Sequence, residues 1–306
     1  MRTLLTFLLW LAMAPAVAAI APAENAPPSN QSLRAVHAEM RERLSTSPFG
    51  KPLVLTAGEA RDRVSGDAYA VLNHPFQQSS AALADPAQWC EILLLPFNTK
   101  LCDSRTSANA MALHVHVGRK YTTELENTHR LDFQFATPSR APDYLRVELT
   151  APKGPFGTHD YKIIFELAPV DERRSFLHFS YSYAYGALAR AAMQTYLSTI
   201  GAKKVGFTTE GTLEDGKPAL VRGLRGVMER NTMRYYLAIE SYLAARALPE
   251  SQRTAKMVED WFAAVDRYPR QLREMSREEY VGMKLREYER MHAGVTPARR
   301  TASSSP

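Results

Sequence analysis

The stretch that decides the fold is YLRVELTAPKGPFGTHDYKIIFELAPVDERRSFLHFSYSYAYG (144–186), followed at once by ALARAAMQTYLSTIG (187–201). Three runs within it alternate apolar and polar residues, as half-buried antiparallel strands do. In the last run, the residues that share the apolar face are Leu177, Phe179, Tyr181, Tyr183 and Tyr185. Gly186 then ends the run, and residues 187–201 have the pattern of a helix with one apolar side. The stretch predicts an antiparallel sheet that closes on a helix.

The rest of the chain adds strands before this stretch and helices after it. A strand over 64–72 ends at Asn73-His74-Pro75, because proline disfavours a continuing ladder. Two short helices follow, the second opened by Asp85-Pro86. After residue 201 a long helix is predicted from about 221 to 247, and two more follow it. This order of elements predicts an α+β fold rather than an alternating α/β one.

The N-terminus predicts export. Residues 1–19 combine Arg2, a short apolar run and small residues at a cleavage point, which is typical of a secretory signal peptide. Residues 20–48 are expected to be a flexible leader with a short helix, and residues 294–306 a disordered tail. Alanine is abundant and arginine outnumbers lysine, a bias typical of GC-rich bacteria. We therefore expect a periplasmic or secreted protein.

The formal net charge is +6, and the basic excess lies in the C-terminal third. Residues 222–246, for example, hold five Arg against two Glu. Export and the mixture of signs argue against a nucleic-acid partner. A weak contact with an anionic membrane surface remains open, as does a plain solvated helical face.

The two cysteines, Cys90 and Cys102, are separated by a predicted turn around residues 96–100. Because an exported chain meets oxidising conditions, we expect a disulfide between them. In the chain-entropy model such a loop stabilises the fold by roughly 3 kcal/mol. A catalytic thiol is disfavoured, since the chain has no Cys-x-x-Cys motif.

Three segments carry a resemblance to a known superfamily. They are GDAYAVLNHPFQQSSAALADPAQW (66–89), the stretch 144–186 and the helix 187–201, within a region of about 53–201. Together they resemble the START-related (SRPBCC, helix-grip) superfamily. This resemblance implies a helix-grip domain over 49–215, with residues 187–201 as the helix across the mouth of the sheet, and a helical appendage over 216–293. The segment RGVMERNTMRYYLAIESYL (225–243) resembles exported proteins of proteobacteria.

The resemblance implies a hollow body that holds an apolar small molecule or lipid, without a cofactor. We expect an exported binding or carrier protein, more readily than an enzyme. The alternatives are a cyclase-like or hydrolase-like enzyme on an apolar substrate, and a structural or interaction module whose cavity is plugged. The residues expected to contact the ligand are Phe133, Phe135, Val147, Phe165, Phe179, Tyr181, Tyr183, Tyr185, Met193, Tyr196, Leu197 and Ile200.

Other candidate sites in the sequence are weaker. His159 and Asp160 lie beside a glycine-rich turn, where they could act as an oriented general base or be ordinary hairpin residues. His114 and His116 share a strand face at a spacing that can chelate a metal, but no third ligand is evident, so no metal site is predicted. The charged residues of the long helix are interpreted as a salt-bridge network, with acidic head-group recognition as the alternative: Arg222, Arg225, Glu229, Arg230 and Arg234.

Overall fold

The computed structural model describes residues 29–107, 110–199 and 201–294, except for the side chains of Leu188 and Tyr196. Its helices are α1 (Asn30–Ser45), α2 (Phe76–Leu83), α3 (Pro86–Leu94), α4 (Ala187–Ser198), α5 (Gly223–Ala245), α6 (Glu250–Asp266) and α7 (Arg277–His292). Its strands are β1 (Leu53–Glu59), β2 (Arg63–Leu72), β3 (Thr99–Ser107), β4 (Ala110–Val117), β5 (His129–Ala141), β6 (Tyr144–Lys153), β7 (Thr158–Pro169), β8 (Ser175–Tyr185), β9 (Thr209–Thr212) and β10 (Pro218–Leu220).

In this part of the chain, β1 to β8 form one antiparallel sheet in the order β1-β2-β8-β7-β6-β5-β4-β3, while β9 and β10 make a small separate hairpin. Alternate residues point to the two faces of the sheet, so the apolar set of each strand gathers on the concave side. In β8, for example, Phe179 lies opposite Ala68 of β2 and Phe165 of β7. The predicted α+β fold, a curved antiparallel sheet around a long helix, is confirmed.

The helix that lies across the concave face is α5, which packs on β1, β2 and β8. Strand β2 makes room for it by presenting only small side chains at three successive inward positions, Gly66, Ala68 and Ala70. A Cβ atom at Gly66 would overlap Thr232 of α5 and lie 3.3 Å from the Met228 carbonyl oxygen. Helix α5 is buried on almost every side, as expected for a helix enclosed between a sheet and other helices.

The prediction that residues 187–201 cross the mouth of the sheet is therefore wrong. Helix α4 lies outside the sheet, and its main contact is with the turn at 155–157. Ala189 is buried, Met193 and Leu197 are half-buried, and most of its other described side chains are exposed. The physical reason is the extent of apolar surface on each helix. Helix α4 has one narrow apolar stripe, whereas α5 has side chains that can be buried on almost every side.

The last two helices pack behind α5. Helix α6 lies against α5, and α7 lies against α6 and β3. The buried Lys284 of α7 donates to the backbone oxygens of Pro96 and Thr99 and to Glu287 at 2.7 to 2.9 Å, so it holds the loop between α3 and β3. One continuous apolar core joins the sheet to these helices. The division at residues 215 and 216 stays a prediction, although the helix inside the sheet comes from the segment predicted to be an appendage.

The predicted disulfide between Cys90 and Cys102 is present and ties α3 to the edge strand β3. Helix α1, within the predicted leader, begins at a capping box formed by Ser29 and Ser32. The predicted signal peptide, the first part of the leader and most of the C-terminal tail lie outside the described residues. None of the helices in the described ranges combines the length and apolar character that a membrane span requires.

The convex face carries a charged network beside α1, centred on Glu166. Its carboxylate accepts a hydrogen bond from the Tyr144 hydroxyl at 2.5 Å and lies 2.9 Å from the Arg146 guanidinium. The two ring nitrogens of His178 lie 2.8 Å from Glu166 and 3.0 Å from Asp67. Burial opposes the charge of this imidazole, but its hydrogen bonds to Asp67 and Glu166 outweigh burial and raise the pKa of His178 to about 9.

Candidate functional site

The aromatic stripe of β8 points into the concave side, and all four rings are buried. Tyr235 of α5 covers Phe179 and Tyr181, with ring centroids 5.8 and 5.5 Å away. Tyr183 stacks on Tyr161 of β7 at 5.1 Å. Most of the space beneath the stripe is therefore filled by protein.

A cavity of about 210 Å³ remains over the other half of the sheet. It lies between β4, β5 and β7, the loop from α3 to β3, and the middle of α5. Apolar side chains form about half of its wall, and they are Leu93, Pro96, Phe97, Val115, Val117, Leu131, Phe133, Pro155 and Ile163. An apolar enclosure with a few polar groups on one side is the usual make-up of a small-molecule site.

The polar side of the cavity comes mostly from one face of α5. Asn231, Arg234 and Tyr235 are spaced i, i+3 and i+4, so they project together. Tyr181 adds a second phenol from β8, directly opposite Gly66 in the sheet register. The close approach of α5 at Gly66 is thus what brings the helix residues near Tyr181.

The two phenols stay neutral in this environment. Burial raises the pKa of Tyr235 to about 12 and raises the pKa of Tyr181 well above its ordinary value. They can therefore donate hydrogen bonds to a bound molecule, but they are poor general bases near neutral pH. Neither hydroxyl has a hydrogen-bond partner among the described residues.

A charged cluster stands next to this polar side. Glu274, which follows α6, lies 2.9 Å from both Arg234 and Lys204 and 2.8 Å from Lys120. Burial opposes its charge, but Arg234 and the hydrogen bonds from the two lysines outweigh burial and lower the pKa of Glu274 to about 2. Arg234 therefore belongs both to the cavity wall and to this cluster.

The structure brings only part of the predicted ligand set to the cavity. Phe133 and Tyr181 line it. Six others are buried in the core without lining it: Phe135, Val147, Phe165, Phe179, Tyr183 and Tyr185. Met193 and Leu197 lie on α4, away from the cavity wall. The side chain of Tyr196, and all of Ile200, lie outside what the structure describes.

The pair His159 and Asp160 does not face the cavity. Their side chains are 44% and 58% exposed, and they lie 3.0 Å apart at the start of β7, near Arg63. Asp160 has a positive φ of 50°, which accompanies a register shift between β7 and β8. The general-base role considered for this pair is therefore not supported, because a substrate in the cavity would not meet it.

The other candidates from the sequence have structural partners. His114 contacts Asp132 at 2.6 Å and His116 contacts Thr128 at 3.0 Å, both on the outward side of β4. Among the described residues, no group of three or more metal-ligating side chains is found.

The other charged side chains of α5 contact the segment 202–210, which precedes the helix. Buried Glu229 accepts hydrogen bonds from the backbone of Phe207 and Thr208, and Arg230 donates to the Val205 oxygen. Arg225 pairs with Glu210 at 2.6 Å, and Arg222 donates to the Ala202 oxygen at 3.4 Å.

The chain is similar in structure to several solved proteins. One is the Zhui aromatase/cyclase from a Streptomyces species, with 12% identity and a TM-score of 0.37, covering 62% of this chain and 95% of that one. A START superfamily protein from Mycobacterium smegmatis has 9% identity and a TM-score of 0.31, with 45% and 92% covered. Norcoclaurine synthase from Thalictrum flavum has 11% identity and a TM-score of 0.32, with 47% and 92% covered.

One of these structures, that from Mycobacterium smegmatis, is of a START superfamily protein, the superfamily that the sequence resembles. At such identities and TM-scores the likeness assigns neither a superfamily nor a role to this chain. No protein-family model matches the chain, and no curated protein matches it.

Proposed function

We propose that this chain is an exported binding or carrier protein for a small apolar molecule, held between the sheet and α5. The observation that carries the proposal is the cavity of about 210 Å³, with an apolar side and a polar side that carries several hydrogen-bond donors. An engineered protein cavity of about 150 Å³ binds benzene, and drug-sized ligands occupy about 300 to 1,000 Å³. The size favours a single ring system or a short alkyl chain over a whole phospholipid.

Binding is favoured over catalysis by the groups that face this space. Among the described residues that line the cavity there is no histidine, carboxylate or cysteine. Its ionisable groups are three phenols with raised pKa values, Tyr161, Tyr181 and Tyr235, and an arginine, none of which takes up a proton readily near pH 7. These groups can orient a ligand, whereas a cyclase or hydrolase needs a base.

The alternative of a plugged structural module has less support. Trp261 of α6 is fully buried, but it packs behind the cavity, with its ring 5.0 Å from Phe97 and from Tyr280. Neither Trp261 nor Phe262 lines the cavity in the described residues. Helix α5, from the segment predicted to be the appendage, does fill the concave side beneath the aromatic stripe, but a cavity remains between its middle and strands β4, β5 and β7.

Export supports the carrier role, since a protein outside the cytoplasm can move an apolar molecule through water. The predicted signal peptide and the disulfide Cys90–Cys102 are consistent with it. Weak contact between the basic C-terminal third and an anionic membrane remains part of the proposal, as a place to load or release the ligand.

Native mass spectrometry with organic extraction of the purified protein tests the proposal. We expect a copurified apolar molecule in the wild-type protein. Val117→Phe should lower its occupancy at least tenfold, because the larger ring occupies the cavity at the end of β4. Val170→Phe, the same substitution on the convex side, is the matched control and should retain the molecule. Equal occupancy in both variants, or no bound molecule in the wild type, would contradict the proposal.

A further inference from the structure

We infer that the ligand is an apolar carboxylic acid, whose carboxylate binds at the α5 side of the cavity beside Arg234. This inference rests on the proposed binding function and specifies its ligand class. Three observations carry it, which are the charge balance of the Glu274 cluster, the donors that surround the polar side, and the position of Arg234 between the two.

The first observation is a surplus of positive charge. Lys120, Lys204 and Arg234 each pair with the carboxylate of Glu274, and these four side chains sum to +2. They come from four different loops or helices, and the Arg234 side chain is only 12% exposed. Charges that are partly withdrawn from water are stabilised by a compensating charge. A ligand anion would supply it.

The second observation concerns hydrogen bonding. The Tyr181 and Tyr235 hydroxyls line the same space as the Asn231 amide, and both phenols are neutral donors. The Asn231 oxygen already accepts a bond from Arg234 at 3.4 Å, which leaves its NH₂ group as the donor on that side chain. A carboxylate can accept several bonds at once, and bonds to a charged acceptor are about twice as strong as neutral ones. An alcohol or a hydrocarbon could not satisfy so many donors.

The third observation is where Arg234 lies. Its guanidinium donates to Glu274 and to the Leu272 oxygen, and it stands 5.6 Å from the Phe97 ring, which is also part of the cavity wall. The arginine thereby brings the positive cluster to the cavity. The apolar part of the ligand would extend from there over Val115, Leu131 and Phe133.

The experiment compares two probes with the same alkyl chain, octanoate and 1-octanol, by titration calorimetry at low salt. In the wild-type protein we expect octanoate to bind at least tenfold more tightly, which corresponds to about 1.4 kcal/mol. Its affinity should fall with added salt, while that of octanol should not.

Lys120→Gln and Lys204→Gln should each lower the affinity for octanoate severalfold and leave the affinity for 1-octanol unchanged. Lys217→Gln is the matched control, because it removes the same charge from a side chain that is 72% exposed in the β9–β10 hairpin. Thermal melts of each variant show whether it is folded. Arg234→Lys is a further variant that keeps the charge and removes the planar fork, and it should also weaken octanoate selectively.

The outcomes separate the two proposals. If both probes bind with equal affinity and salt affects neither, the carboxylate inference is wrong while the apolar binding function stands. If Lys217→Gln weakens octanoate as much as Lys120→Gln, the effect is one of overall charge and the inference is wrong. If neither probe binds to the wild-type protein, the proposed function fails together with the inference.

Discussion

The two faces of the sheet are built from the same strands but stabilised by different physics. In β8, Phe179 and Tyr181 point to the concave side and pack on Tyr235, whereas His178 between them points to the convex side and lies between Asp67 and Glu166. The concave side holds α5 through close shape complementarity at small residues. The convex side holds ionised groups close together beside α1.

This difference separates two kinds of sensitivity. Substitutions on the concave face should act through volume, because a close-packed interior tolerates neither added atoms nor cavities. Stability that comes from the convex face should depend on pH, because the groups that meet there change their protonation when the chain unfolds.

The largest effect is expected from Gly66→Val. The new side chain would collide with Thr232 of α5, and the helix would have to move away from β2. We expect a loss of about 3 kcal/mol in the free energy of unfolding, measured by denaturant titration. The control is Gly211→Val on β9, where a Cβ atom would meet nothing within 4 Å. A loss of similar size in the control, or none in Gly66→Val, would show that α5 is not seated on this strand.

The second effect is a pH dependence that belongs to the convex face. The pKa of His178 is about 9 in the folded protein, above the ordinary value of 6.5. The stabilisation from its charge is therefore complete below pH 6.5 and declines as the pH rises towards 9. Between pH 6.5 and 8, the free energy of unfolding measured by denaturant titration should fall by about 2 kcal/mol more in the wild-type protein than in His178→Gln.

The comparison stops at pH 8 because a second buried group titrates above it. Burial lowers the pKa of Lys284 to about 8, so the loss of its proton in the folded protein raises the free energy of unfolding above that pH. The histidine control is His159→Gln, which removes an imidazole that is 44% exposed and should keep the wild-type slope. Parallel slopes for wild type and His178→Gln would show that the His178 charge does not stabilise the fold.

The faces of the sheet could be predicted from the sequence because a strand repeats every two residues. The alternation of β6 to β8, the end of β2 at Leu72 and the cap of α3 at Asp85 all follow from local rules, and the structure confirms them. Strand β3 was missed, since its residues Thr99–Ser107 carry mixed polar and charged side chains without a clear apolar alternation.

The identity of the central helix could not be predicted from helix patterns alone. An apolar stripe shows that a helix packs on something, but it does not name the partner. Helix α4 has such a stripe and follows the sheet directly, whereas α5 is buried on almost every side. The signal that distinguishes them lies in β2, where Gly66, Ala68 and Ala70 leave room for a helix with a bulky surface. Choosing the wrong helix is why Asn231, Arg234 and Tyr235 were not predicted as cavity residues.

The smallest effect is expected on the convex side, away from its charged network. Ser182 of β8 points outward, lies opposite Ser65 and Lys162, and makes no side-chain hydrogen bond with a described residue. Ser182→Val adds a branched side chain that suits a strand, so the free energy of unfolding should change by less than about 0.5 kcal/mol. Ala68→Val is the matched enlargement at a fully buried inward position. It should lower the free energy of unfolding by about 2 kcal/mol because α5 lies directly above it. Equal losses in a denaturant titration would mean that both faces are packed to the same density, and the contrast between them would then rest on charge alone.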